Sequence, residues 1–273
     1  MESSPPPPAR PAVSPTFLKA LLILVTGLLV AGWWSLTPPG LLGKADAAGY
    51  AVCHRIDTRS FHIHGRQTPL CARCSGMYLG ALFGLAYLAR FGRRAGMPSL
   101  KIFVVLGVFL AVFAIDGVNS YMHFFPGLPH LYEPHNTLRL ITGTGLGLGI
   151  AAVLAPVFHQ TVWSDYDPRP ALAGFRQLLP LVGLAALLVA VILTEAPAVL
   201  LPLALLSGAA VPLLLTLVYG VIWVLIARRE NRFQRPRQLW VPLLAGFLTA
   251  MVQIAIFDAG RYWLTGTWSG FPL

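Results

Sequence analysis

Between residues 53 and 74 the chain reads Cys53-His54-Arg55, then Arg59-Ser60-Phe61-His62-Ile63-His64, then Pro69-Leu70-Cys71-Ala72-Arg73-Cys74. Thiols and imidazoles so close together are donors for a borderline-soft metal. Cys53, Cys71 and Cys74 with one histidine make up a tetrahedral zinc set of three sulfurs and one nitrogen. His54 adjoins Cys53, and adjacent residues rarely both ligate, so His62 and His64 are equal candidates for the fourth position. The Cys71-x-x-Cys74 pair runs directly into an apolar segment. At a helix N-terminus the free N–H groups and the macrodipole favour thiolate, and Arg73 adds positive charge. Thiolate also attacks disulfides, so the same residues suit thiol–disulfide exchange between Cys71 and Cys74, with Cys53 as the resolving thiol. A third reading is a disulfide that staples the loop, its histidines merely solvated. Three cysteines allow one intramolecular disulfide and leave one thiol over.

A second set of polar residues lies further on. Asp116, Asn119 and His123 are spaced i, i+3, i+7 at the end of an apolar run, which puts them on one helix face. An ionisable group inside an apolar segment is costly and needs a partner, so Asp116 is a functional candidate. Asn136 and Arg139 open the next apolar run, and Arg139 is the expected partner of Asp116. The two are candidates for catalysis; equally, they could only lock two helices together. Asp258, near the end of the last apolar segment, is a further polar candidate. Glu195 and Arg261 read as ordinary charges at helix ends.

The elements that must position these residues are membrane helices. The chain has 273 residues, 56% hydrophobic and only 11% charged, against roughly 25% charged in soluble domains. With so little charge to face water, lipid is its solvent. Spans of about 20 apolar residues are needed to cross a bilayer, and seven are expected: Thr16–Leu36, Ser75–Ala89, Ile102–Met122, Leu138–Phe158, Leu178–Thr194, Ala198–Ala227 and Leu239–Phe257. Backbone groups in hydrocarbon must pair within their own segment, so these are helices, and the fold class is all-α and polytopic. Pro202 and Pro212 interrupt the sixth run, which reads as one bent helix. Thr142-Gly143-Thr144-Gly145, followed by Gly147 and Gly149, is a small-residue face for close helix packing rather than a phosphate loop, which needs a lysine and a preceding strand.

Residues 1–15 are Pro- and Ser-rich and read as disordered; residues 16–273 read as a single membrane domain with a Cys/His loop at 37–75. Ala45-Asp46-Ala47 resembles a signal-peptidase site. The apolar run before it is long, however, and Pro38, Pro39 and Gly40 intervene, so the first span is expected to be an anchor. The net charge of +10 does not indicate nucleic acid, because the basic residues cluster beside spans as the positive-inside rule requires. The second and sixth connections, with Arg10, Lys19, Arg169 and Arg176, carry 13 of the 20 basic residues. This places the N-terminus in the cytoplasm of a multi-pass protein of the cell membrane and the Cys/His loop outside. All three cysteines and six of the seven histidines lie in the first and third connections. Two crossings separate those connections, so they share a face in either orientation; only His159 lies opposite.

Cys53-His54, Arg59-Ser60-Phe61, Pro69-x-Cys71-x-Arg73-Cys74-x-Gly76, Asp116, and Asn136-x-x-Arg139-x-x-Thr142-Gly143 together resemble domain-of-unknown-function family 2085. These are predicted integral membrane proteins of bacteria and archaea. The resemblance covers about Cys53 to Gly149 and implies membrane residence and these motif residues, with no reaction attached. Asn119 departs from the glutamine expected there, and His123, His130 and His135 lie outside the pattern. The expectation is therefore a membrane protein with an extracytoplasmic Cys/His metal site, zinc above other metals. Thiol–disulfide oxidoreductase and transporter or assembly factor are the alternatives. Whether it is an enzyme stays open, and no Gly-x-Ser-x-Gly elbow is present.

Overall fold

The computed structural model describes residues 14–125, 127, 129 and 131–271; His130 and most of the Pro-rich start lie outside them. Eight α-helices form among these residues: α1 Pro15–Leu36, α2 Gly40–Tyr50, α3 Ala72–Ala89, α4 Leu100–Met122, α5 Asn136–Val162, α6 Phe175–Leu193, α7 Pro197–Ile226 and α8 Trp240–Thr265. Six of them, α1 and α4 to α8, are long and apolar enough to cross a membrane. The fold is all-α and polytopic, as the apolar runs require. The seventh expected span is α3, whose 18 residues are rich in Gly and Ala. It packs inside the bundle, against α5 and α7.

Backbone contact between α3 and α5 is set by glycine. A Cβ on Gly143 would lie 2.1 Å from the Arg73 carbonyl oxygen, and one on Gly147 would lie 2.3 Å from that of Met77. From the other side, a Cβ on Gly76 would lie 2.5 Å from the Leu140 oxygen. Small residues let membrane helices approach this closely, where packing replaces the hydrophobic effect as the cohesive term. The Gly-rich start of α5 therefore serves packing, and it pins the first turn of α3.

α7 is one continuous helix through Pro202 and Pro212. Residues 37–75 are more ordered than a loop. Lys44 of α2 is buried and donates to the Thr37 carbonyl (3.0 Å) and hydroxyl (2.9 Å), and also to the Trp34 carbonyl. It thereby satisfies carbonyls that the end of α1 leaves unpaired. Two two-residue strands follow, β1 His62–Ile63 and β2 Arg66–Gln67, paired antiparallel. Their turn is His64-Gly65 with φ of 51° and 77°, the left-handed pair that a tight hairpin needs.

At the opposite end, β3 Arg94–Gly96 pairs with β4 Asp167–Pro170. Arg93 donates to the Gln234 carbonyl at 2.8 Å. The basic connections thus share one end of the bundle, and the cysteines occupy the other.

Candidate functional site

The three sulfurs converge. Sγ of Cys53, Cys71 and Cys74 all lie within 4.8 Å of one another. Cys53 follows the end of α2, its N–H donating to Gly49 at 2.9 Å. Cys71 is the N-cap of α3 and Cys74 lies in its first turn. Two backbone N–H groups point at Cys53 Sγ, from Arg55 (3.4 Å) and Cys71 (3.3 Å), as the groups that orient metal thiolates do. Sulfur hydrogen bonds from Cys53 and Cys74 hold the Cys71 thiol well below its usual range, and His54 beside it adds to the effect. Cys53, as donor to that sulfur, is pushed up to about 12.

Among the described histidines, only His54 stands at the sulfurs, beside Cys71. Its Nδ1 accepts the Ile56 N–H at 3.0 Å, which fixes the ring and leaves Nε2 for another partner. His62 Nε2 is instead paired with Asp57 at 2.9 Å. His64 is exposed on the hairpin turn. The hairpin carries both away, and neither joins the sulfur group.

The sequence presents Arg261 as an ordinary helix-end charge, and the structure places it differently. Its guanidinium donates to the carbonyls of Tyr50 (2.8 Å), Cys53 (2.6 Å) and His54 (3.0 Å), so the end of α8 clamps the Cys53 loop. Phe271 donates its N–H to the His54 carbonyl at 3.1 Å and closes the clamp. A polar cleft of about 540 Å³, lined in part by Asp46, Arg55 and Arg66, opens beside it.

Asp116 is buried, and its partner is Arg73 rather than Arg139. Arg73 Nε donates to Oδ2 at 3.1 Å and a terminal nitrogen pairs with the same oxygen. Arg73 sits between Cys71 and Cys74 on the first turn of α3, close enough to span to α4. Arg139 instead donates to Asn136 Oδ1 at 2.9 Å. Tyr132 Oη (2.9 Å) and Thr142 Oγ1 (3.3 Å) complete the set of donors around the carboxylate. Burial and this bond raise the Tyr132 phenol to about 12. Asn119 ties the next connection down, accepting from Leu131 N–H at 2.6 Å and donating to the Tyr132 carbonyl at 2.9 Å. Asn136 donates to the carbonyls of Thr58 and Ser60, at 3.3 and 3.4 Å. His123, at the C-cap of α4, is exposed and lies 3.8 Å from Glu133. The expected polar face therefore holds for Asp116 and Asn119 and lapses at His123, where the helix ends.

The family of predicted membrane proteins DUF2085 matches residues 53–153, from Cys53 into α5. An uncharacterized protein of Methanothermobacter thermautotrophicus is 33% identical over 110 residues, covering 40% of this chain and 88% of that protein. The chain belongs to family DUF2085. A second uncharacterized protein, from Methanocaldococcus jannaschii, is 30% identical over 115 residues, 42% of this chain and 69% of its own length. No solved structure matches the chain.

The DUF2085 segment thus contains all three cysteines, Arg73, Asp116, Asn136 and Arg139, and ends within α5. Asp258 and Arg261 lie beyond it. Asp258 is buried on α8, where Oδ2 accepts from Trp33 Nε1 at 2.8 Å and Oδ1 has no partner. It joins α1 to α8 at a distance from the sulfurs in sequence. Sequence reasoning misses Tyr132, Trp33 and Ser120, whose hydroxyl accepts from Arg73 at 2.9 Å; these are single polar or aromatic residues without a spacing signal. Arg73 is legible as a cation beside thiols, and its fixed position in Cys-x-Arg-Cys is the available hint of a second role.

Proposed function

We propose that the protein is a multi-pass membrane protein carrying a three-cysteine metal centre at one end of its bundle, with zinc as the metal. Cys53, Cys71 and Cys74 supply three ligands, and His54 Nε2 is the fourth candidate among the described residues. The observation that carries this reading is the convergence of all three sulfurs within 4.8 Å. A tetrahedral zinc with bonds of about 2.3 Å sets sulfurs roughly 3.8 Å apart, a spacing reached here by small side-chain adjustment. A disulfide would engage two of the sulfurs and leave the third without a role.

Thiol–disulfide exchange is the second reading, and burial weighs against it. Cys53 and Cys71 are 5% and 2% exposed, whereas exchange needs an attacking thiolate that partners can reach. The transporter reading asks for broken helices near the midplane; α7, the helix with two internal prolines, runs unbroken.

Asp116 is the nearest candidate for acid–base work, linked to the cysteine turn through Arg73. Its engagement with Arg73, Tyr132 and Thr142 suits a positioning role: it holds the Cys71–Cys74 turn against α4. The positive-inside rule puts the basic end in the cytoplasm and the cysteine end outside.

The test is elemental analysis of protein purified in mild detergent without chelator, beside a Cys71→Ser/Cys74→Ser variant. The expected result is about one zinc per chain, lost in the variant. No metal in the wild type, with thiol titration finding one free cysteine, would replace this reading with the disulfide ones.

A further inference from the structure

The polar cleft beside the Cys53 loop is built by residues far apart in the chain. Asp46 comes from α2, Arg55 from the loop after Cys53, Arg66 from β2, and Thr267 and Trp268 from the segment after α8. Arg55 and Arg66 each set a terminal nitrogen on Asp46, at 3.0 Å and 2.6 Å. Two guanidiniums thus share one carboxylate. Among the described residues no other charged side chain lines the cleft, so it keeps an excess of one positive charge.

The two arginines meet the cleft differently. The Arg66 side chain is 49% exposed, so a solute reaches it from water. Arg55 is 5% exposed and forms part of the wall. One of its terminal nitrogens is on Asp46, the other donates to the Trp268 carbonyl at 3.2 Å, and its Nε has no partner. A buried donor left unmatched is costly, and an acceptor in the cleft would relieve that cost. Arg55 is also firmly held. Its N–H donates to Cys53 Sγ at 3.4 Å, and its carbonyl accepts from Gln67 Nε2 at 2.8 Å. Donors fixed before a ligand arrives lose little freedom on binding it. Beside the cleft, α1 and α8 leave an apolar groove of about 940 Å³. Tyr262, Gly266 and Trp268 line both spaces, so the two meet at these residues.

We infer that this cleft binds a phosphate group, held between Arg66 and Arg55. Guanidinium forks match phosphate oxygens, stay charged, and are more weakly hydrated than an ammonium. The oxygens of a phosphate point in several directions and can meet two forks at once, where a carboxylate meets one. Asp46 keeps the forks in place and leaves one positive charge for the ligand. The carrier is either a soluble phosphate ester entering from water or a phospholipid whose chains follow the groove between α1 and α8. The contacts at the arginines are the same for both. The site stands whether or not the sulfurs hold a metal.

The experiment is native mass spectrometry of the full chain in mild detergent. Glycerol phosphate is compared with glycerol, and phosphatidylglycerol with chain-matched diacylglycerol. Wild type should retain a phosphate-bearing probe about tenfold more strongly than its phosphate-free counterpart, the order expected of one charge-assisted contact. Retention of glycerol phosphate assigns a soluble ligand; retention of phosphatidylglycerol alone assigns a lipid. Arg66→Gln should remove most of the preference. Arg66 is half exposed and its loss leaves Asp46 paired with Arg55, so this variant keeps the fold. Arg169→Gln removes an equal charge from an exposed residue at the opposite end and should change nothing. Equal retention of both members of each pair by wild type would overturn the inference. So would an Arg66→Gln protein that binds as wild type does, or equal losses in Arg66→Gln and Arg169→Gln.

Discussion

Replacing Gly143 by alanine tests the packing that sets the site. The new methyl carbon would lie 2.1 Å from the Arg73 carbonyl oxygen, where carbon–oxygen contacts normally fall near about 3.3 Å. The first turn of α3 and the start of α5 must therefore part by about 1.2 Å. Alanine in an unobstructed helix is worth about 0.5–1 kcal/mol over glycine. Overpacking costs about 1–3 kcal/mol, and this contact, backbone against backbone, belongs at the upper end. The net effect is a loss of about 1–2 kcal/mol. At about 2–4 °C per kcal/mol, thermal unfolding in detergent should fall by about 2–8 °C. Gly149 on the same helix has open space around its missing Cβ, so Gly149→Ala should be neutral or gain up to about 1 kcal/mol. The two variants share composition, helix and chemistry, and differ in what the methyl meets. Equal melting temperatures for the pair, measured by near-ultraviolet circular dichroism, would refute the argument that glycine sets the α3–α5 distance.

Asp116→Asn leaves the half-buried Arg73 without its counter-charge and should cost up to about 3 kcal/mol; an Arg73→Met/Asp116→Leu double variant should recover most of that in denaturant unfolding. Arg261→Ala removes three hydrogen bonds from the Cys53 loop and should weaken zinc about 10–100-fold, read by competition with a chromogenic chelator. Zinc should also leave as pH falls, since each thiolate must take up a proton. The basic end behaves differently. Arg169 holds the half-buried Asp167 carboxylate at about 2, below its ordinary 3.8. That contribution is complete above the unfolded value and is lost as pH falls through the folded one. Acidification from about pH 7 to 5 should thus release metal while intrinsic-rate-corrected hydrogen exchange along β3 and β4 stays unchanged.

The spans were legible because the bilayer demands length and apolarity together, and each long run meets both. α2 was not. It has 11 residues, six of them Gly or Ala beside Lys44 and Asp46, and no periodic stripe, because its small face is what packs. A Cβ on Gly49 would lie 2.0 Å from the Pro69 carbonyl oxygen. Such close fit depends on the tertiary partner and leaves no hydropathy signal. That the cysteines gather at one membrane face was legible because all three fall in the first connection. Which histidine stands beside them was not, since it turns on a two-residue hairpin that faces His64 outward. Asp116 declared its need for a cation by being buried, but an apolar helix carries no mark of which arginine arrives. Arg73 reaches it from the first turn of α3, which glycines hold against α5.

The most direct test of the metal centre is zinc K-edge X-ray absorption on protein purified without chelator. The expected spectrum has three sulfurs near about 2.3 Å and one nitrogen near about 2.0 Å, with the nitrogen lost in His54→Ala. A zinc-free protein, or an absorber coordinated only by oxygen and nitrogen, would contradict the assignment of Cys53, Cys71 and Cys74 as its ligands.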